Sequence, residues 1–169
     1  MILVLLHNGF EELEALSPVD MLRRAGADVR TVGMSDRVAV GAHGIAVVCD
    51  LLFDEVDQEA VDTVILPGGL PGATNLDADG RVDALLARVY AAGGRLCAIC
   101  AAPMILGKRG YLNGRRATCF PGFEEHLTGG SVVDADVVTD GRITTARSVH
   151  AAMAFAEELC RLLTEGGRT

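Results

Sequence analysis

Residues 95–110 read RLCAICAAPMILGKRG. Arg95–Ile99 is a short, mostly apolar run of strand length, and Ala101–Lys108 follows as a helix-forming segment stopped at Gly110. No loop separates the two, so a strand should turn directly into a helix at Cys100. The same alternation runs outward in both directions. Ile2–Leu6 is fully apolar, as expected of a strand buried on both faces. Phe10–Ala25 reads as a helix ended by Gly26, Val29–Val32 as a strand, and Val38–Val48 as a hairpin turning at Ala42-His43-Gly44. Thr63–Leu66 is a short buried strand and Val82–Ala92 a helix ended by Gly93-Gly94. Ala117–Phe120, Val132–Val138 and Ile143–Thr145 read as strands, and His150–Leu163 as a closing helix. Strand and helix in repeated alternation predict a mostly parallel sheet with helices on both faces.

Ligands in such sheets sit beyond the carboxyl ends of the strands. That selects His7–Glu12, Pro67–Asn75 and Cys100–Pro103. Cys100 has Ala98 two residues before it and Ala102 two after, the small-x-nucleophile-x-small spacing that lets a nucleophile fit a tight strand-to-helix turn. A thiol opening a helix feels the positive end of the dipole, which predicts a lowered pKa. Cys97 and Cys100 make a C-x-x-C string, but a disulfide is not expected. Residues three apart in a strand are separated by roughly 10 Å and face opposite ways, whereas a disulfide needs Cα atoms within about 7 Å. Cys97, Cys49 and Cys160 are assigned to the core, and Cys119, at the end of a strand, to the neighbourhood of the site.

The first helix supplies a partner. Phe10, Glu14, Ser17 and Met21 recur at spacings of four, three and four, which is one helix face, flanked by Leu13 and Leu16. A carboxyl on that seam should be partly buried. Pro18 clashes with the carbonyl of Glu14 and predicts a kink there. Glu11 and Glu12 are explained by the helix dipole alone. Two ionised groups about 4 Å apart would repel by about 4 kcal/mol at an effective dielectric of about 20. One site must hold the proton, and burial points to Glu14, leaving a thiolate at Cys100.

The chain has 169 residues, 50% of them hydrophobic, and mean hydropathy of +0.31. That fits one domain, expected to span residues 1–169, with a core large enough to need no staples. A net charge of −8 argues against a nucleic-acid partner and an anionic membrane surface. The N-terminal apolar run is too short for a signal peptide, and no stretch approaches the ~20 residues of a membrane span. Five scattered cysteines make no disulfide framework, and the expected compartment is a reducing cytoplasm. No histidine–cysteine spacing suggests a metal site, and no cofactor motif is present.

Residues 66–76, LPGGLPGATNL, follow a strand with glycines that let backbone N–H groups approach a ligand. The string is neither of the phosphate-binding glycine motifs. The N–H groups of Gly69 and Ala101 are candidates for an oxyanion hole. GFEELEALSPVDMLRRAG (9–26), LPGGLPGATNL, AICAAP (98–103) and FPGFE (120–124), in this order and spacing, resemble the ThiJ/PfpI superfamily, in the branch of the parkinsonism-associated deglycase and its bacterial relatives. The resemblance covers essentially the whole chain. It implies a flavodoxin-like three-layer sandwich, a homodimer, Cys100 as the reactive cysteine, Glu14 as its partner, and Gly69 and Ala101 as backbone donors, with Gly68 beside them.

Three positions depart from the family pattern. Phe120 stands where some relatives have a histidine. Arg147-Ser-Val-His150 replaces an Arg-Gly-Pro-Gly stretch, and His43 stands where one relative has an arginine. His7, His126 and His150 are candidates by position only, with Cys119, Phe120 and Arg147 as further neighbours. The function implied is a cofactor-independent glyoxalase or deglycase acting on small reactive carbonyls such as methylglyoxal. A redox-sensing stress protein oxidised at Cys100 is the first rival. A cysteine hydrolase is the second, weakened by the absence of an assured histidine.

Overall fold

The structure, a computed structural model, describes residues 1–164. The last five residues of the expected domain, 165–169, lie outside the described ones. In chain order the elements are β1 (Ile2–Leu6), α1 (Glu12–Arg24), β2 (Val29–Gly33), β3 (Val38–Val40), β4 (Ala46–Val48), β5 (Leu51–Leu52), β6 (Thr63–Leu66), α2 (Gly72–Ala78), α3 (Gly80–Ala91), β7 (Arg95–Ile99), α4 (Pro103–Lys108), β8 (Arg116–Ala117), β9 (Ser131–Val132), β10 (Val137–Asp140), β11 (Ile143–Ala146) and α5 (Ala152–Thr164). Seven strands form one sheet in the order β10-β11-β7-β6-β1-β2-β5, parallel throughout except for the β10–β11 pair. β3 and β4 form the expected hairpin, with Val38 opposite Val48.

Strand side chains alternate between two cores, which is why the inner strands are apolar on both faces. From β1, Leu3 and Leu5 enter one core with Leu76, Leu85, Leu86 and Ile105 of α2, α3 and α4. Ile2, Val4 and Leu6 enter the other with Ala15, Val19 and Leu22 of α1 and Phe155 and Leu159 of α5. The result is the expected three-layer α/β sandwich, helices on both sides of a mostly parallel sheet. Each fully buried leucine contributes about 1.5–3 kcal/mol of transfer free energy.

Several local expectations differ from the structure. The glycine loop after β6 is shorter than expected, because residues 72–78 form α2. The expected strand 117–120 stops at Ala117. Thr118 instead donates its N–H to Thr145 Oγ1 at 2.9 Å, and Phe120 to the Cys100 carbonyl at 2.8 Å. The expected strand 132–138 splits into β9 and β10 around Asp134-Ala-Asp136. α1 runs without interruption from Glu12 to Arg24 through Pro18. Its buried residues are Glu12, Glu14, Ala15, Pro18, Val19 and Leu22. The seam is therefore turned relative to the expected face, and Leu13 is exposed.

Candidate active site

Leu96 and Ala98 of β7 face one core and Cys97 and Ile99 the other. Cys100, the next residue, breaks the alternation. It has φ +64°, the one positive value for a non-glycine among the described residues. A side chain in that region costs roughly 1–3 kcal/mol and persists only where its surroundings fix it. Here both backbone groups are tied. The Cys100 N–H donates to Ala146 O at 2.9 Å, and its carbonyl accepts from Phe120 N–H. This is the strained turn expected of a nucleophile elbow. One part of the expectation is corrected: residues 101–102 are a turn and α4 begins only at Pro103. Cys100 thus precedes the helix rather than opening it, and a dipole that fades within a turn acts on it weakly.

Glu14 is fully buried in the first turn of α1. Glu11 caps the helix by accepting the Glu14 N–H at 2.7 Å. Glu14 Oε2 accepts the Gly68 N–H at 2.9 Å, and Oε1 has no hydrogen-bond partner. Gly68 sits between the two reactive groups. A Cβ there would stand 2.6 Å from Glu14 Oε2 and 2.7 Å from Cys100 Cβ. Only glycine leaves room for the acid and the thiol to share that space. Gly69 has φ +84°, and a Cβ on it would lie 2.3 Å from the Glu11 nitrogen.

Burial pushes the Cys100 thiol up to about 12. The Glu14 carboxylate adds to that rise, while the Ala101 and Gly69 N–H groups, both directed at the sulfur, work against it. Burial also raises Glu14, to about 7, with the thiol proton pulling it down, the Glu11 charge raising it and the Gly68 N–H lowering it. Against the lowering expected from the helix dipole, desolvation raises the thiol, and it raises the carboxyl beside it as well, so the two groups compete for one negative charge. The Ala101 and Gly69 N–H groups both act to lower the pKa of the thiol.

Cys97 is fully buried in β7, its thiol also pushed up to about 12 by burial, and all five cysteines are free. Cys119 is buried, raised to about 11 by desolvation, and lines a separate hollow of about 290 Å³ with Arg147, Glu124 and Asp134. Arg147 pairs with Asp134. Phe120 touches the site through its backbone, and its ring meets Phe123 at 6.5 Å.

Among the described residues no histidine ring bonds to Cys100 or Glu14. His7 contacts Ser35 and Asn75, His126 lies near Glu125 and Phe123, and His150 is exposed. His43 binds Glu12, with ring Nδ1 2.7 Å from Oε2 and its N–H 2.7 Å from Oε1. Sequence reasoning missed this role of Glu12, because an acid in a first helical turn already has an explanation. Glu11, Glu12 and His43 offer ligand atoms within 4.8 Å of one another. Glu12 is already engaged by hydrogen bonds, however, and a helix N-terminus disfavours a cation.

A profile described as the DJ-1/PfpI family matches residues 1–162. "Protein DJ-1 homolog A" of Arabidopsis thaliana is 36% identical over 166 residues, 96% of this chain. The chain spans only 42% of that relative's length. A deglycase of Pyrococcus horikoshii is 32% identical over 96% of this chain and 98% of its own. The crystal structure of a DJ-1 superfamily protein from Salmonella typhimurium superposes with a TM-score of 0.89 at 40% identity, covering 96% of this chain and 89% of that one.

Proposed function

The chain belongs to the DJ-1/PfpI family, and from that premise we propose that it is a cysteine-dependent, cofactor-independent enzyme of glyoxalase or deglycase type, acting on small reactive carbonyls such as methylglyoxal. The reading is supported chiefly by one observation: a thiol and a buried carboxyl packed on either side of Gly68, with two backbone N–H groups directed at the sulfur. Relatives that carry the word deglycase in their names support the reaction class.

In the proposed mechanism Cys100 Sγ attacks the aldehyde carbon as Glu14 takes the thiol proton. Glu14 is suited to that because its pKa, about 7, lies near the working pH. The oxyanion of the hemithioacetal accepts from Gly69 and Ala101 N–H. Glu14 gives the thiol proton to that oxyanion, completing the hemithioacetal and becoming a carboxylate again; it then takes the proton from the former aldehyde carbon and, through an enediol, returns it to the neighbouring carbonyl carbon, giving a thioester. Water hydrolyses the thioester, and methylglyoxal plus water leave as lactate. We further propose that the chain works as a homodimer in the cytoplasm, where its five free thiols stay reduced.

The test is methylglyoxal consumption with lactate detection. Wild type should form lactate, with kcat/KM rising as Glu14 ionises through about pH 7. Cys100→Ser should abolish turnover, and Glu14→Gln should lower it about 100-fold or more. Turnover that survives Cys100→Ser would refute the reading. An inert wild type whose Cys100 reacts selectively with peroxide would move the site to the redox-sensing reading.

A further inference from the structure

Glu11 closes a ring of hydrogen bonds around the active-site turn. Its N–H donates to Gly68 O at 2.9 Å. Gly68 N–H donates to Glu14 Oε2 at 2.9 Å. Glu14 N–H donates in turn to Glu11 Oε2 at 2.7 Å. The segment after β1 and the loop after β6 thus hold each other through main chain and side chain together. Gly68 is also the residue wedged between the acid and the thiol, so the ring sets where the carboxyl stands relative to Cys100. It uses Oε2 and leaves Oε1 without a partner, as the oxygen free to exchange a proton with the thiol. A helix cap alone does not explain the residue type. Short side chains such as Ser, Thr, Asp and Asn are the usual caps, and Glu11 adds to its cap both the bond to Gly68 and a full charge.

That charge is set where it counts. The Glu11 side chain is only 14% exposed, and a partly buried charge is screened little by salt. The chief influence on Glu14 is burial, which raises it; the thiol hydrogen bond lowers it, the Glu11 charge raises it again, and the Gly68 N–H lowers it. The β3–β4 hairpin brings an opposing charge. His43 Nδ1 stands 2.7 Å from Glu12 Oε2 and 3.9 Å from Glu11 Oε1, so its imidazolium faces both acids. Among the described residues, α5, which packs on α1, buries only the apolar Ala152, Phe155, Ala156 and Leu159. Arg147, after β11, is engaged by Asp134. Cys100 is the titratable group that meets Glu14 from the β7 side.

We propose that Glu11 is a positioning residue of the Cys100 site: it clamps Gly68 and Glu14 in the ring, and its negative charge holds the proton on Glu14, with His43 as the counter-charge that limits this hold. Glu11 acts through Glu14 rather than on the reacting atoms. The two charges have opposite consequences. Without the Glu11 charge, Glu14 ionises at lower pH; without the His43 charge, it ionises at higher pH. Because His43 is an imidazole, its counter-charge is lost as the pH climbs, just where Glu14 is giving up its proton. An arginine at position 43 would make the counter-charge permanent.

Carboxyl carbon NMR on the full-length chain reads the Glu14 titration directly, its signal being the one lost in Glu14→Gln. Glu11→Gln keeps an acceptor for the Glu14 N–H and removes the charge. Its Glu14 midpoint should fall by about half a unit, and that of His43→Gln should rise by a similar amount. The double variant should return close to wild type, and His43→Arg should lie at or below it. Glu11→Ala removes the acceptor as well and should lower the melting temperature, which Glu11→Gln should largely restore. A second readout rests on the proposed carbonyl chemistry. Below the Glu14 midpoint, Glu11→Gln should consume methylglyoxal about threefold faster than wild type in kcat/KM, because more Glu14 is ionised. Glu11→Ala should lower the high-pH kcat about tenfold with little change in KM. A Glu14 midpoint unmoved in Glu11→Gln, or moved in the same direction by Glu11→Gln and His43→Gln, would overturn the proposal. Midpoints that move as expected in a chain that leaves methylglyoxal untouched would uphold it and count against the carbonyl chemistry instead.

Discussion

At the scale of single residues, the site is a competition for one negative charge. Cys100 and Glu14 are both raised by burial; the Glu14 charge raises the thiol further, while the thiol's hydrogen bond pulls Glu14 down. This has a consequence for stability. Glu14 moves from an ordinary 4.5 in the unfolded chain to about 7 in the folded one. A raised pKa stabilises the fold fully below about 4.5, and the contribution is lost as the pH rises through about 7. The difference corresponds to about 3 kcal/mol. Wild type should therefore lose stability between pH 5 and pH 8 in urea unfolding, and Glu14→Gln should lack that component. A wild-type-minus-variant difference that stays flat over this range would show that Glu14 is not buried as an acid. Both residues were legible in the sequence: Cys100 because strand and helix meet there without a loop, Glu14 because it interrupts an apolar seam. Their protonation was not legible, since it depends on how much water the fold removes and on α4 starting at Pro103.

At the scale of elements, the β3–β4 hairpin is fastened to the start of α1. Gly9 N–H donates to Val40 O at 2.8 Å and Ala42 N–H to Phe10 O at 2.7 Å. Glu12, buried, accepts from the His43 ring and N–H. Burial works to raise the Glu12 carboxyl, but the His43 and Ile45 hydrogen bonds outweigh it and hold it below 4.5. The hydrogen bond to Glu12, and then its charge, raise His43 above 6.5. The signs are opposite. The Glu12 contribution is present above about 4.5 and lost as pH falls through its lower folded value. The His43 contribution is present below about 6.5 and lost as pH rises through its higher one. The clasp is thus strongest between these limits. Glu12→Gln should lower stability most there and progressively less on either side. Urea midpoints of the two chains across pH 4–9 check this, and a cost independent of pH would mean that the pair is not ionic. The hairpin itself was readable from Val38–Val48 and its glycine turn. The clasp was not, because it joins residues 31 apart in sequence through a side chain that local rules had already explained.

At the scale of the whole molecule, alternating apolar runs were enough to give the sandwich, since inner strands of a parallel sheet have no polar face to confuse the reading. The edges were harder. β5, β8 and β9 are two residues each, and their pairing is set by long-range contacts rather than by a pattern of their own. Edges and surfaces are also where assembly is decided. Leu13 is 60% exposed, Ile45 55% and Val48 73%. Leu13 and Ile45 border one hollow of about 380 Å³ with Glu11, Glu12 and His43. An apolar patch on the first turn of α1 and the hairpin fastened to it is costly to leave in water. The proposed homodimer should use it. A two-fold contact there is self-complementary, so one substitution acts twice, once on each copy. Leu13→Glu, placed at an exposed position, should leave the monomer folded and turn a dimeric species by light scattering into a monomeric one at micromolar concentration. Because Glu14 is the next residue and Glu11 caps it, the same change should lower methylglyoxal turnover if the second copy shields the Cys100 site from water. A Leu13→Glu chain that stays dimeric would place the contact elsewhere. One that becomes monomeric with full turnover would separate assembly from chemistry.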